Sequence, residues 1–490
     1  MALPIALYST AQVRALDAHA INDLGVPGYT LMKRAGEAAL RYLRTRWPTA
    51  HRIVIVCGAG NNGGDGYVLA RFAQAAGLTV SVLSAVSPES LRGDAQRAYS
   101  DYRASGGAVR DFAADQLAAG DVIVDALLGT GLSGAVRADL LPVIRAINGS
   151  GRPVFALDVP SGIDSDTGMM RGDALRAEAT VTFVGLKTGL FVGDGPEHTG
   201  TVFFDDLELA APETLAPRLT RIVETEIASA LPRRPRAANK GDFGRVLIVG
   251  SGAGMPGAAR LAGEACLRVG AGLVTVAVAL ENVAAIAAGR PELICVAVTG
   301  DAALGEAVSR ADVIAVGPGL GRSDWARNAL GAVLDSRKPL VVDADALNLL
   351  AEARAAARAD WILTPHPGEA GRLLGVGAAD VQRDRLAALD LLLERFDGCV
   401  VLKGAGTLVG MRGRTPGICE RGNPGMATAG TGDVLTGAIA GILAQCRDPW
   451  AAARAGVLVH AMAGDAAARS GERGVLASDL MRELQHCVNL

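Results

Sequence analysis

Apolar residues in this chain come in short β-branched runs separated by longer alanine-rich stretches. In the first half the runs are "RIVIVCG" (52–58), "LTVSVLSA" (78–85), "DVIVDALLG" (121–129) and "PVFALDVP" (153–160). In the second half they are "RVLIVGS" (245–251), "LVTVAVA" (273–279), "DVIAVGPG" (312–319), "PLVVDADA" (339–346), "WILTPH" (361–366) and "CVVLKG" (399–404). Runs with no polar alternation predict strands buried on both faces, hence parallel sheets, and stretches such as "GYVLARFAQAAG" (66–77) predict the covering helices. The βα rhythm breaks between 208 and 244, where prolines at 212, 217, 232 and 235 flank the basic patch "PRRPR". Two α/β domains are therefore expected, 1–221 and 222–490. Residues from about 8 to 47 read as a helical arm, with Ser9 or Thr10 as its N-cap.

Composition narrows the function classes. At 490 residues the chain exceeds one ordinary core. Half of it is apolar, a fifth is charged and the net charge is −3, so nothing draws it to nucleic acid or to an anionic membrane. The seven cysteines are scattered without a CxxC pair, which fits a reducing cytoplasm, and the six histidines are isolated, which argues against a transition-metal centre. The start lacks the pattern of a signal peptide, and no run of about 18 apolar residues suggests a membrane span.

The 62 glycines cluster after the strands. In "IVIVCGAGNNGGDGYVLAR" (53–71), Gly58, Gly60 and Gly63 form G-x-G-x-x-G, which reads either as a dinucleotide fingerprint or as a tight βα turn. The acidic residue expected after the second strand is missing. The loop instead carries Asn61, Asn62 and Asp65; Asp125 and Asp158 close two further strands, with Ser161, Asp164 and Asp166 behind. Ligands of open α/β sheets bind at such strand ends. Carboxylate, amide and hydroxyl oxygens together suit a hard cation, and a carboxylate beside a bound ring suits proton transfer.

The second half repeats the device at Gly252, Gly254 and Gly257, with Glu281 after the next strand. Its last glycine stretch, "GNPGMATAGTGD" (422–433), leads into an apolar helix. Backbone N–H groups at such a helix start bind anions, and Asp433 in its first turn is either a general base beside that anion hole or an ordinary capping residue. His366, between two prolines, is a ligand contact or a strand terminator. Lys403, ahead of "GAGT", reads as a phosphate contact, through its side chain or the loop's N–H groups.

With these residues in view, the chain resembles the bifunctional NAD(P)H-hydrate repair enzymes. Residues 1 to about 215 resemble their epimerase domain through "GNNGGDG", "DALLGTG" and "DVPSGID". The remainder resembles their ADP- or ATP-dependent dehydratase through "KGDFG", "GPGLG", "TPHPGE", "KGAGT" and "AGTGD". The resemblance implies a Rossmann-like three-layer sandwich followed by a ribokinase-like α/β domain. It implies that Asn61, Asn62, Gly63, Gly64, Asp65, Gly129, Thr130, Gly131, Leu132, Ser133, Gly134, Ala135 and Asp158 hold the hydrated nucleotide in the first domain. Asn62, Asp125 and Ser161 would ligate K+, and Asp65 or Asp158 would move protons. In the second domain Ala258, Gly319, His366 and Asp433 would line the hydrate site, with Asp433 catalytic. Lys403, Gly404, Ala405, Gly406, Thr407 and Gly432 would hold ADP or ATP, which enters with Mg2+. A homo-oligomer is expected. The alternatives are a sugar or hydroxymethylpyrimidine kinase with a regulatory N-terminal domain, a first half that only binds, and a Rossmann oxidoreductase.

Overall fold

The computed structural model describes residues 3–132, 134–212, 214–353 and 357–489. It divides into two units, Met1–Leu219 and Thr220–Leu490.

The first unit is built on seven parallel strands. Across the sheet they run Val109–Asp111, Thr79–Ser84, Arg52–Cys57, Val122–Ala126, Val154–Leu157, Ala179–Phe183 and Thr201–Asp205. The order reverses between Arg52–Cys57 and Val122–Ala126, a topological switch point where strand ends splay and leave a crevice. Alternate side chains feed opposite layers: Ile53, Ile55 and Val124 pack with Tyr67 and Leu69, whereas Val54, Val56 and Ile123 pack with Ile144. The result is the three-layer sandwich. The strand Ala179–Phe183 escapes the apolar pattern because Thr180 and Thr182 are buried in it.

The helix expected from residue 66 starts earlier, at Asn61, so "NNGGD" forms its first turns and not a loop. Glycine there is a steric requirement. A Cβ on Gly63 would meet Gly58 O at 2.1 Å, and one on Gly58 would meet Leu127 O at 2.0 Å. The arm is helical over Thr10–Asn22, and Ser9 is its cap: Ser9 Oγ accepts from Gln12 N, and Gln12 Oε1 from Ser9 N. Thr10 is used elsewhere, holding Asp166 through its N–H (2.6 Å) and hydroxyl (2.9 Å).

The second unit's sheet begins with the same reversal. Its order is Ile294–Ala297, Leu273–Val278, Arg245–Val249, Val313–Val316, Leu340–Val342, Trp361–Leu363 and Cys399–Leu402, all parallel. The sequence pattern does not foresee Ile294–Ala297, nor two strands that follow Cys399–Leu402. Thr407–Met411 returns antiparallel to Cys399–Leu402 and Gly417–Cys419 adds to it, so the sheet is mixed and "KGAGT" contains a hairpin turn. Helix Thr431–Cys446 lies against helix Pro256–Arg268, so closely that a Cβ on Gly437 would sit 2.0 Å from Ala262 O. Among the described residues no helix is long and apolar enough to cross a membrane.

Candidate functional site

In the first unit a cavity of about 650 Å³ opens at the switch point. Asn61, Asn62, Asp65, Gly129, Thr130, Gly131, Leu132, Ala135 and Asp158 line it. Gly63 and Gly64 do not; they are buried behind it, where Gly63 accommodates Gly58 and Gly64 accommodates Met32. Gly134, with φ of +80°, shapes the loop but is not part of the lining, and Ser133 lies outside the described residues.

Asp125 and Ser161 lie beneath the cavity as one buried unit. Ser161 donates its N–H (2.8 Å) and hydroxyl (2.6 Å) to the two carboxylate oxygens of Asp125, and its hydroxyl accepts from Leu128 N. Burial pushes the Asp125 carboxyl up to about 6 against those hydrogen bonds. Asn62 Nδ2 donates to Leu128 O at 2.8 Å, while its Oδ1 is buried with no partner among the described residues. An orphaned amide oxygen beside a carboxylate and a hydroxyl is the donor set of a hard cation.

Asp158 takes φ of +66°, a left-handed conformation that aspartate tolerates better than most residues. Its Oδ1 accepts from the fully buried Lys187, whose ammonium also donates to Phe183 O at 2.6 Å. Two carboxylates face this pair. Burial, reinforced by the charges of Asp158 and Asp17, holds Asp65 well above the ordinary carboxylate range, with Lys187 opposing. Burial likewise raises Asp17 to about 6, against Lys187 and with Asp158.

Lys187 and Asp17 are the residues sequence reasoning misses, though both left a signal. The chain has only five lysines, and Lys187 stands alone in the apolar, glycine-rich "VGLKTGL". Asp17 falls on the stripe Val13, Leu16 and Ala20 that the arm buries, where a carboxylate is out of place. Asp164 and Asp166 are structural: Asp164 closes its own turn and pairs with Arg171, and Asp166 anchors the arm.

In the second unit the strand-end turns nest in the same way. A Cβ on Gly319 would sit 2.9 Å from the Ala258 side chain, so the two predicted residues do adjoin. Asn282, not Glu281, braces the first glycine turn, donating to Ser251 O and Gly252 O at 2.8 Å each. His366 caps helix Pro367–Leu374: its Nδ1 accepts from Gly368 N at 2.9 Å, which in the neutral ring leaves the proton on Nε2. Its ring is half exposed, and it reaches the charged cluster only through Glu369, whose Oε1 lies 3.4 Å from Nε2.

Lys403 is the centre of that cluster. It donates to Asp343 Oδ1 at 2.6 Å and lies 3.7 Å from Glu369, while Thr436 donates to Asp343 Oδ2 at 2.6 Å. Burial alone would lower the ammonium, but Asp343 and Glu369 hold it above its ordinary value. A Cβ on Gly432 would lie 3.6 Å from Lys403 Nζ, so the helix start and the lysine face one another. Asp433 is in the first turn of helix Thr431–Cys446, and burial, with Asp343 next, raises its carboxyl to about 7 against the pull of Lys403. A protonatable carboxyl, a paired ammonium and a glycine turn at a helix N-terminus suit proton removal beside an anion.

Comparisons with known proteins place both units in families. Residues 246–486 match the family model described as NAD(P)H-hydrate dehydratase, and residues 28–189 match that of the YjeF-related protein N-terminus. The chain is 48% identical over 486 residues to the bifunctional NAD(P)H-hydrate repair enzyme of Coxiella burnetii, covering 99% of both. It is 43% identical to that of Escherichia coli K12, covering all of this chain and 95% of the relative.

The chain belongs to the bifunctional NAD(P)H-hydrate repair enzymes.

As a member of that family it is an enzyme with two activities, epimerase and dehydratase. Two solved structures share the dehydratase unit's fold. A hypothetical protein of Streptococcus mutans is 31% identical, covering 55% of this chain and 98% of its own, with a TM-score of 0.51. A ribokinase-like superfamily protein of Enterococcus faecalis is 30% identical, covering 57% and 98%, with a TM-score of 0.52. The comparisons do not favour the small-molecule kinase alternative.

Lys187→Met would leave the Asp158 carboxylate, 15% exposed, without its lysine counter-ion. Denaturant unfolding should report a loss on the order of 3 kcal/mol in the epimerase unit. A change within error would mean that the pair is not a structural element.

Proposed function

We propose that the second unit repairs hydrated NAD(P)H by phosphoryl transfer followed by elimination, and that Asp433 starts the reaction. Its position in the first turn of an N-terminal glycine helix, against the Lys403–Asp343 pair, is the observation that carries this reading. Hydration of the reduced nicotinamide ring leaves a hydroxyl on the carbon beside the ring nitrogen. Asp433 takes the proton of that hydroxyl as its oxygen attacks the terminal phosphorus of ADP or ATP, and the bond to the leaving AMP or ADP breaks. The ring nitrogen's lone pair then expels phosphate, and loss of a proton from the adjacent carbon restores the dihydropyridine.

Ala258, Gly319 and His366 line the hydrate's side of this site in our reading, and Lys403, Gly404, Ala405, Gly406, Thr407 and Gly432 the nucleotide's. The cluster fits a divalent ion arriving on the phosphates. Lys403 matches the charge of Asp343, which leaves Glu369, Asp433 and, near it, Asp345 as carboxylates in excess. Mg2+ would supply charge neutralisation on the transferring phosphoryl group.

In the first unit, we propose Asp65 as the proton carrier that interconverts the two epimers. Asp158 is committed to Lys187 and Thr182, whereas no hydrogen bond occupies the Asp65 carboxyl among the described residues. Protonated Asp65 gives its proton to the ring hydroxyl, which leaves as water with the nitrogen lone pair closing the C=N bond. Water adds back from the other face and returns a proton to the carboxylate. Asn62, Asp125 and Ser161 fit K+, because Asn62 Oδ1 lacks any other partner among the described residues. Such an ion would hold the loop carrying Leu128 beneath the nucleotide. In our reading the enzyme works beside its cofactor pool, in the cytoplasm.

Both hydrate epimers of NADH, mixed, should be fed to wild type, Asp433→Ala, Asp158→Ala and Asp65→Asn with Mg2+ and ADP or ATP, following absorbance at about 340 nm. Asp433→Ala should recover no NADH at any nucleotide concentration; full recovery would end the role assigned to it. Asp158→Ala and Asp65→Asn should stop at the fraction already in the dehydratase-competent S form, apart from slow spontaneous epimerisation. Wild-type epimerisation by Asp65→Asn would move the proton to another group.

The pH dependence has a definite sign. Asp433 acts as its carboxylate, and its raised value of about 7 means that it is mostly protonated below that pH. Dehydratase turnover of the S hydrate should therefore rise through about pH 7 to a plateau and fall to about a tenth of it near pH 6. A turnover rate that stays level from about pH 5 to 8 would contradict the assignment.

A further inference from the structure

Arg385 is a buried cation beside the second site that the proposed reaction does not use. It opens helix Arg385–Phe396, is 4% exposed, and has no carboxylate in ion-pair contact among the described residues. Its guanidinium is spent on backbone oxygens. It donates to Leu402 O at 3.2 Å, to Lys403 O at 3.3 Å from both terminal nitrogens, to Gly406 O at 3.3 Å, and to Gln382 Oε1 at 2.8 Å. Its Nε is buried with no partner among the described residues. Burial lowers the group only to about 10, so it is charged at neutral pH.

Apart from the one to Gln382, these contacts fall at the turn between strands Cys399–Leu402 and Thr407–Met411. A trans peptide aims its C=O and its N–H in opposite directions. Pinning Lys403 O onto the guanidinium therefore turns the N–H of Gly404 away from it, and pinning Gly406 O does the same for Thr407. No backbone hydrogen bond occupies the N–H groups of Gly404, Ala405 or Gly406 among the described residues. Gly404 tolerates the arrangement at φ of +136°, where a Cβ would lie 2.8 Å from Arg385 Nη1. A buried cation without a counter-ion is costly, and an anion on the far side of the turn would supply the missing charge.

We propose that Arg385 is the positioning residue of the nucleotide subsite: it holds the 403–407 turn with its amides outward and adds positive potential beneath the phosphates of ADP or ATP. This rests on the nucleotide reading of that turn. The effect belongs to phosphate binding, not to proton removal, so KM and kcat should separate.

The test uses the full chain, the S hydrate of NADH and ADP with Mg2+. Arg385→Gln should raise the ADP KM by about tenfold or more while changing kcat at saturation by less than about threefold. Arg385→Lys, which keeps the charge and loses the fork, should fall between the two. The ADP dissociation constant from calorimetry should follow KM, and epimerisation by the same protein should be unchanged. An Arg385→Gln protein with wild-type KM and dissociation constant overturns the proposal, as does an equal loss of kcat and kcat/KM in Arg385→Lys, the variant to use if Arg385→Gln does not fold. Lys403→Met separates the two readings. If it weakens ADP binding and Arg385→Gln does not, the turn binds nucleotide without help from Arg385. If neither weakens it, the nucleotide lies elsewhere.

Discussion

Both sites depend on one steric constraint, the contact between a carbonyl oxygen at one strand end and a Cα with no side chain at the next. In the first unit Leu127 O presses on Gly58; in the second, Pro318 O presses on Gly250 and Asp343 O on Gly317, at distances of 1.8–2.1 Å from where a Cβ would stand. No other residue fits at such a contact. Because the turns nest this closely, carboxylates carried by separate strands meet at the point where strand order reverses, and a helix begins there with its N–H groups turned inward. The chemistry is a consequence of that packing.

Within each site the same electrostatic division recurs. A buried lysine pairs with one carboxylate, Lys187 with Asp158 and Lys403 with Asp343, and so holds that side chain in its hydrogen-bonded place. A second carboxylate, Asp65 or Asp433, shares the desolvation without the partner, and its proton is held more tightly. A carboxyl that keeps its proton above the ordinary carboxylate range suits acid–base work near neutral pH.

The α/β class and the central strands were legible because buried parallel strands are apolar on both faces and need no alternation to be seen. Edge elements were not. The strand Val109–Asp111 is short and largely exposed, and the hairpin ending in Thr407–Met411 looks, as sequence, like one more βα loop. The glycine motifs pointed to the strand-end turns, but placed "NNGGD" in a loop when its glycines allow a helix to start against backbone. Asp125, Asp158 and Asp433 were visible as carboxylates where apolar runs end. Lys187, Asp17 and Arg385 were not, because each acts through neighbours remote in sequence: Asp17 reaches the cavity from the arm, and Arg385 holds a turn that begins some way downstream of it. Their signal was polarity on a buried stripe, which is weak until the packing is known.

In the mechanism we propose, the dehydratase unit uses a kinase-like glycine turn and carboxyl, and its phosphorylated product is transient. That is the central claim, and a product balance tests it most directly. The pure S hydrate of NADH, incubated with Mg2+ and ADP, should yield NADH, AMP and inorganic phosphate in equal amounts, with no phosphorylated dinucleotide accumulating in 31P spectra. A stable phosphorylated hydrate, formed with AMP but without NADH, would contradict it and make this an ordinary kinase.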